Sequence, residues 1–218
     1  MRRHRSPAGW GRAVLEAVRY ALPFVLVAWV LVRGGWSAPS PVLSADQQRR
    51  LGAGEVIVLD ELPPRASTSA HGGTALAIVR ASPEQVWRIL IDYPGHTRYY
   101  PGVTSVEVLE ADEQRALVRY QVKIGFFSFK FHMNKYPDPI RHRIEWQLAD
   151  DRPNGLFREN TGYWQLGEAP GGTLVTYAIA VRTILPGFVT SGSERDSLVD
   201  TIRSLRKLAE NGGGAAGR

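Results

Sequence analysis

One histidine has the residue type and the position to do chemistry inside an apolar site. His142 falls on the apolar side of the alternating segment IRHRIEWQL, residues 140–148, between Ile140 and Ile144. An imidazole in that setting could hydrogen-bond a ligand carbonyl or hydroxyl, or act as a general acid or base. The alternative is a core or rim histidine whose ring nitrogens are satisfied by the backbone. The sequence leaves both interpretations open.

The remaining polar candidates have weaker patterns. His132 alternates onto the polar side of the segment FSFKFHM, which predicts a solvated side chain. Arg158, Glu159 and Asn160 form a polar break at the start of a strand. This break favours a solvated edge strand, although an inward charge there could anchor a ligand head group.

Several kinds of reactive site have no signature in the sequence. The two candidate histidines lack metal-ligand spacing, and the chain contains no cysteine. No Ser-His-Asp set, phosphate-binding glycine loop or pair of carboxylates stands out. We therefore predict no metal, no cofactor and no assigned catalytic residue.

Aromatic side chains accumulate on one side of the alternating segments. Residues 116–124, 127–133, 140–148 and 173–181 all alternate apolar with polar positions. Alternation of this kind predicts antiparallel strands with one buried and one solvated face. If a cavity lies over the aromatic face, its ligand-binding residues are predicted to be Tyr100, Tyr120, Phe129, His142, Trp146 and Tyr177.

Helices are expected at three places around these strands. Ser44 caps a short helix over residues 44–51, which precedes a strand over residues 54–62. Ser82 and Gln85 form a capping box at the start of a second helix, which follows the strand at residues 74–81. The third helix is long and follows the last strand.

The last helix, residues 191–210, must cover the sheet. Leu198, Ile202 and Leu205 recur at helical spacing and need an apolar partner surface. The predicted fold class is therefore α+β, a curved antiparallel sheet wrapped around a long C-terminal helix, with short helices after the first strand. Large side chains between the two layers tend to leave a cleft. Its expected lip is YPGHTRYYPGV, residues 93–103, although the tyrosines of this linker could equally pack the corner between helix and strand.

Several motifs in this order resemble one protein superfamily. They are VRASPEQVWRILIDYP with YYPGV, RENTGYWQL, GGTLVTYAIAV and the final helix. Residues 74–210 resemble the START-like (SRPBCC) superfamily, in particular its polyketide cyclase/dehydrase and coenzyme-Q-binding branch. The resemblance implies a helix-grip fold with a cavity between the terminal helix and the sheet. It implies no catalytic set, because this fold hosts lipid carriers, quinone binders and ring-closing enzymes.

The N-terminal segment resembles an export signal. Residues 1–38 carry six arginines and one glutamate around the apolar run Tyr20 to Val32. This layout predicts a signal peptide or an N-terminal membrane anchor, with the rest of the chain periplasmic or held on the outer side of the cytoplasmic membrane. Without this leader the chain is nearly neutral, so we predict no nucleic-acid partner.

These observations predict four segments and rank three functions. The segments are the leader (1–38), a lead-in helix, strand and polar loop (39–73), the START-like domain (74–210) and a disordered tail (211–218). The favoured function is non-enzymatic binding of a lipid, quinone or similar hydrophobic ligand. The alternatives are a cyclase or dehydratase acting on an apolar polyketone, for which His142 is the inward acid or base, and an envelope interaction module without a ligand.

Overall fold

The computed structural model describes residues 41–184 and 191–212. The predicted leader and most of the predicted tail lie outside these ranges. The helices are α1 (Ala45–Gly52), α2 (Pro83–Ile91) and α3 (Ser191–Gly212), with a 3₁₀ helix at Tyr93–Arg98. The strands are β1 (Ile57–Leu59), β2 (His71–Val79), β3 (Val103–Ala111), β4 (Ala116–Ile124), β5 (Phe127–Asp138), β6 (Arg143–Leu148), β7 (Phe157–Ala169) and β8 (Gly172–Thr183).

The eight strands form one antiparallel sheet. Their order is β1-β2-β8-β7-β6-β5-β4-β3, so the first long strand pairs with the last and the others follow as a meander. Bulges interrupt the β3–β4 ladder and the start of the β7–β8 ladder, and bulges of this kind bend and twist a sheet. The predicted α+β fold class is confirmed.

Helix α3 covers the apolar face of the sheet as its periodicity predicts. Leu198, Ile202 and Leu205 are buried, and they belong to the same apolar core as the inward residues of the strands. The helix packs mainly along β2, with further contacts to β1, α2 and the 3₁₀ helix. The stripe therefore sets which side of α3 faces the interior.

The two short helices begin where their capping residues predict. The Ser44 and Ser82 side chains each accept a hydrogen bond from the backbone N–H three residues later, and Gln47 and Gln85 complete the boxes. Helix α2 passes directly into the 3₁₀ helix at Asp92, whose carboxylate accepts from the backbone N–H of Gly95. This sharp change of direction brings the linker YPGHTRYYPGV back toward the sheet.

The predicted strand over residues 140–148 begins too early. Asp138 pairs with Arg143 across a four-residue hairpin turn, and β6 starts only at Arg143. The Asp138 carboxylate accepts from the backbone N–H of Arg141, and His142 adopts a left-handed backbone with φ of 48°. Asp-Pro followed by this hydrogen bond is a turn signal that outweighs the apolar alternation.

The polar residues Arg158, Glu159 and Asn160 do not mark an edge strand. Strand β7 pairs with β6 on one side and β8 on the other, so it lies inside the sheet. Glu159 is engaged by the Ser67 backbone N–H and hydroxyl, while Asn160 is buried. Ser67 in the loop before β2 thus donates the hydrogen bonds to Glu159 that water was expected to donate.

His132 is also buried rather than solvated. The loop at residues 149–155 covers it, and its Nδ1 lies 2.8 Å from the carbonyl oxygen of Pro153. A loop that folds over the outer face of a sheet cannot be inferred from alternation along a single strand.

Candidate ligand-binding cavity

A cavity of about 570 Å³ lies between α3 and the inner face of the sheet. Inward residues of β4 to β8 form most of its wall, and Leu198 and Thr201 of α3 cover it. Four of the lining residues are exposed to solvent, and we call these residues the mouth: Pro101, Gly102, Lys123 and Ser197.

Four of the six predicted ligand-binding residues line this cavity. Tyr100, Tyr120, Trp146 and Tyr177 are brought together from the linker after the 3₁₀ helix and from three different strands. Trp146 and Tyr177 stack with ring centroids 5.8 Å apart, and Tyr100 lies 6.2 Å from Tyr177. We call these four residues the aromatic end. Their binding of a ligand stays a prediction.

The other two predicted residues do not line the cavity. His142 lies in the hairpin turn before β6, where its ring packs edge-on against Trp87 of α2 at 5.6 Å. Phe129 lies near the β4–β5 hairpin opposite Val122, and its ring contacts that of Phe127. Val122 and Ile124 of the neighbouring strand form the cavity wall at that level instead. Of the three linker tyrosines, only Tyr100 reaches the cavity, and Tyr93 and Tyr99 pack the corner.

A glycine makes room for the largest ring at the aromatic end. Gly162 of β7 pairs with Trp146, and a Cβ atom at that position would lie 2.4 Å from the indole ring and 2.2 Å from the Ala178 carbonyl oxygen. Any side chain would therefore displace Trp146 into the cavity or distort the ladder to β8. The close approach of backbone and ring keeps the space in front of Trp146 open.

A buried histidine orients Tyr120. His96 of the 3₁₀ helix is 1% exposed, with Nε2 2.9 Å from the Leu90 carbonyl oxygen and Nδ1 2.8 Å from the Tyr120 hydroxyl. The carbonyl can only accept, so Nε2 carries the proton and the Tyr120 hydroxyl donates to Nδ1. Burial, with a smaller contribution from Lys135, lowers the pKa of His96 to about 3, which keeps the ring neutral.

A second hydrogen bond positions Tyr100. The indole N–H of Trp164 donates to the Tyr100 hydroxyl at 2.8 Å, and the Trp164 ring stacks on Tyr177 at 4.1 Å. Burial raises the pKa values of Tyr100, Tyr120 and Tyr177 above the usual range, so all three remain neutral phenols. The aromatic end is thus a fixed wall of rings with a few oriented hydroxyls.

Lys135 is the one buried cation among the described residues that line the cavity. It lies on β5 opposite Trp146, is 3% exposed, and places Nζ 4.4 Å from the Trp146 ring centroid and 5.4 Å from that of Tyr120. Burial lowers its pKa to about 7, and within residues 41–184 and 191–212 no acidic group offsets this effect. Rings stabilise an ammonium group through their electron-rich faces, but only in part.

Asn160 adds an amide to the same cavity. It is buried on β7, and its carbonyl oxygen accepts from the Trp146 indole N–H at 3.1 Å. No aspartate or glutamate lines the cavity in the part of the chain that the structure describes. The arrangement can therefore pack an apolar body against aromatic rings and place an amine, phenol groups and an amide within reach of its polar atoms.

Lys135 and His96 are functional candidates that the sequence does not single out, and Asn160 was expected to lie on an edge strand. Lys135 lies two residues after Met133, at the next position of the alternation that includes Phe131. A charged residue at an inward position could have marked it as a functional candidate. His96 lies inside the linker singled out for its tyrosines, but only the turn after α2 directs it inward. Asn160 required knowing that β7 is an interior strand.

Comparison with known families agrees with this geometry. A sequence model described as polyketide cyclase / dehydrase and lipid transport matches residues 79–205. The chain belongs to this family. The match covers β3 to β8 and most of α3, which together form the cavity, and it confirms the START-like resemblance.

Solved structures of other proteins share the fold. The Zhui aromatase/cyclase from a Streptomyces species is similar with a TM-score of 0.55 and 21% identity, over 66% of this chain and 96% of that one. A STAR-related lipid transfer protein from Xanthomonas axonopodis is similar with a TM-score of 0.52 and 16% identity, over 71% of this chain and 92% of that one. At these identities the likeness concerns the fold alone.

Two further findings concern curated relatives and membrane-spanning helices. The sequence has no significant match among curated proteins. Within residues 41–184 and 191–212, none of the helices combines the length and apolar character needed to cross a bilayer.

Proposed function

We propose that this protein binds a lipid, a quinone or a similar hydrophobic molecule in the cavity between α3 and the sheet, without converting it. One observation carries the proposal, namely a cavity of about 570 Å³ whose wall is mostly apolar and aromatic. Small-molecule sites have this size and are lined mainly by apolar side chains with a few convergent polar groups. The lipid transfer protein among the structural neighbours is consistent with such a role.

Burial favours the binding of an apolar body. A ligand that buries roughly 300 Å² of apolar surface would gain about 7.5 kcal/mol at ~25 cal/mol per Å². Micromolar affinity corresponds to a net of about 8 kcal/mol, and the lost freedom of the ligand offsets part of the gain, so burial of this area alone supports binding weaker than micromolar. The rigid ring wall reduces the cost of ordering side chains when the ligand enters.

The open interior weighs against the ligand-free interaction module. A protein that only presented a surface to a partner would be expected to fill its core, since empty apolar space forfeits packing contacts. Here α3 and the sheet are instead held apart around the aromatic end.

A cyclase or dehydratase is a second candidate function because of Lys135. Its amine lines the cavity, and a pKa of about 7 matches a general base that works near neutral pH. It would take the role that the sequence suggested for His142, which lies outside the cavity. Incubation with a linear polyketone and its analysis by mass spectrometry tests this candidate. Loss of water or ring closure that Lys135→Met abolishes would favour it, and absence of any product would leave the binding function.

We propose further that the domain works outside the cytoplasm, beside a membrane. The support is the arginine-rich segment that precedes the apolar run at residues 20–32. A second support is the β4–β5 hairpin at the mouth, where Phe126 is 99% exposed and lies between Lys123 and Lys130. Exposed rings next to lysines suit an anionic lipid surface. A reporter fused after Arg218 should be active only outside the cytoplasm, and activity inside would contradict this placement.

Native mass spectrometry tests the binding function directly. The protein is purified without added ligand, and the mass of any retained molecule is measured before and after organic extraction. We expect one apolar molecule per chain, either co-purified or captured from a membrane lipid extract. A protein that stays empty after exposure to lipids, quinones and neutral aromatic probes would contradict the proposal.

A further inference from the structure

We infer that the ligand carries a carboxylate and that the Lys135 amine pairs with it at the aromatic end of the cavity. This inference rests on the proposed binding function and names its ligand class, an apolar body with one acidic group. The groups that surround the amine, and the counter-charge that is missing there, support it.

Lys135 lacks the partner that buried cations ordinarily have. Its side chain is nearly inaccessible, and none of the described residues that line the cavity is acidic. Removing an ammonium group from water costs several kcal/mol unless an opposite charge or hydrogen bonds replace the lost hydration. Without a ligand, the rings of Trp146 and Tyr120 compensate only in part for the lost hydration of the ammonium group.

The cavity is built so that a ligand can supply the missing charge. Lys135 belongs to the cavity wall, so a ligand that fills the cavity would contact its side chain. A carboxylate would restore the positive charge of the amine and form a charge-assisted hydrogen bond with it. An alcohol or ester would offer only a neutral acceptor and would leave the amine without its counter-charge.

The mouth and the other polar groups are consistent with one inward acid. Lys123 is exposed at the mouth, so a ligand anion meets positive charge on its way in. At the aromatic end the Asn160 side-chain amide, whose oxygen accepts from Trp146, keeps its N–H donors for the second carboxylate oxygen. The apolar body would then extend toward Val122 and Ile124, the neighbours of Lys123 at the mouth.

The titration of the site in the free protein is dominated by Lys135. The amine lies over the rings of Tyr120 from β4 and Trp146 from β6. Tyr177 from β8 stacks on Trp146, and His96 from the 3₁₀ helix lies beyond Tyr120. Burial shifts the pKa values of the two tyrosines and the histidine so that all three stay neutral around pH 7. The pKa of Lys135 is about 7 without a ligand. Above this pH the binding of a carboxylate must therefore be accompanied by the uptake of one proton by Lys135.

The test compares dodecanoic acid with its methyl ester by isothermal titration calorimetry on the full-length protein. For wild type at about pH 6.5 we expect the acid to bind at least about tenfold more tightly than the ester. Acid binding should weaken by up to about tenfold for each pH unit above about pH 8, because one proton must be taken up, while ester binding stays constant. Equal affinity for acid and ester at the lower pH would overturn the inference.

The matched variants are Lys135→Met and Lys130→Met. Both remove one lysine from β5, but Lys130 is exposed and does not line the cavity. Lys135→Met should lose the preference for the acid while binding the ester within about threefold of wild type. Lys130→Met should keep the preference. Retention of the acid preference and its pH dependence in Lys135→Met would overturn the assignment.

The design separates this inference from the proposed function. If neither acid nor ester binds, the binding function itself fails. If both bind and Lys135→Met changes neither, the cavity is a ligand site but the carboxylate assignment is wrong. Repeating the titrations with anthracene-2-carboxylic acid and its methyl ester then shows whether the cavity prefers a ligand with an aliphatic chain or one with fused rings. An acid preference with either body supports the inference.

Discussion

The two ends of the cavity differ in how tightly their side chains are held. At the aromatic end each ring is fixed by a stack or a hydrogen bond: Tyr177 on Trp164 at 4.1 Å, Tyr120 by His96 at 2.8 Å and Trp146 by Asn160 at 3.1 Å. At the mouth the lining residues are exposed, and the adjacent hairpin projects Phe126 and Phe127 into solvent. One end holds its side chains in fixed positions, and the other presents exposed residues to solvent.

This difference indicates where substitutions will affect stability and where they will affect function. Buried rings that stack and share hydrogen bonds act as one unit, so a change in one is felt by its neighbours. Exposed apolar residues contribute little to the fold, and when they cluster they usually mark a contact surface. The predictions below test this division between the two ends, from the largest expected effect to the smallest.

The largest effect is expected for Trp164→Ala behind the aromatic end. Trp164 is 1% exposed, stacks on Tyr177 and donates to Tyr100. Removing it should lower the free energy of unfolding by about 3–5 kcal/mol, measured by urea denaturation. The control is Phe126→Ala at the hairpin, which should change stability by less than about 0.5 kcal/mol. Similar losses for both variants would mean that the two ends do not differ as described.

The second prediction concerns the pH dependence of stability that Lys135 imposes. Burial lowers its pKa from the ordinary lysine value of 10.5 to about 7 in the folded protein, so between these values the unfolded chain binds the proton more tightly. The stability contribution of the neutral amine is complete above pH 10.5 and is lost as the pH falls toward 7. Relative to Lys135→Met, wild type should therefore lose roughly 2–3 kcal/mol between about pH 9 and about pH 7. A constant difference between the two proteins would show that Lys135 is not desolvated.

The third prediction compares two tyrosines of the linker, the partly buried Tyr100 and the buried Tyr93. Tyr100→Phe removes the acceptor of the Trp164 indole N–H and leaves that donor unpaired, at a cost of about 1–3 kcal/mol. Tyr93→Phe is the matched control, because the Tyr93 hydroxyl is buried without a hydrogen-bond partner among the described residues. It should be neutral or slightly stabilising in thermal unfolding. If Tyr93→Phe were as costly as Tyr100→Phe, the hydrogen bond to Trp164 would not explain the effect.

The smallest effect on stability, and the clearest effect at the mouth, is expected for Phe126→Ser. This variant should remain as stable as wild type within about 0.5 kcal/mol. It should bind vesicles of phosphatidylglycerol several-fold less well in a sedimentation assay, since an exposed ring is lost from the proposed lipid-facing hairpin. The control is Ile140→Ser, because Ile140 is 93% exposed but lies in the turn at the other end of β5. Equal losses in both variants would argue against a specific role of the hairpin.

The fold could be predicted from the sequence because its signals are local and repeated. Capping boxes at Ser44 and Ser82 and the stripe on α3 each specify an element by themselves. Alternation in β4 and β8 correctly identifies Tyr120 and Tyr177 as inward residues. These features depend on neighbours along the chain, which a sequence displays directly.

The site could be predicted only in part because it depends on what packs over each face. The predicted strand position of His142 is wrong because the turn after Asp138 ends the alternation, and the predicted exposure of His132 is wrong because a distant loop covers it. Lys135 escapes prediction because a lysine is rarely buried without a partner, so its type argues against the inner face on which it lies. The outcomes for His132 and Lys135 are decided by contacts between residues far apart in sequence, whereas that for His142 depends on a local turn.

Titration with a neutral fluorescent probe, N-phenyl-1-naphthylamine, tests the central claim most directly. Val122→Trp places a large side chain into the cavity wall, and Val108→Trp places the same side chain on β3, away from the residues that line the cavity. Wild type and Val108→Trp should bind one probe per chain with saturable fluorescence, which an apolar lipid extract displaces. Val122→Trp should unfold cooperatively yet bind the probe at least about tenfold more weakly. Unchanged probe binding in Val122→Trp, or no saturable binding in wild type, would contradict a ligand-binding cavity.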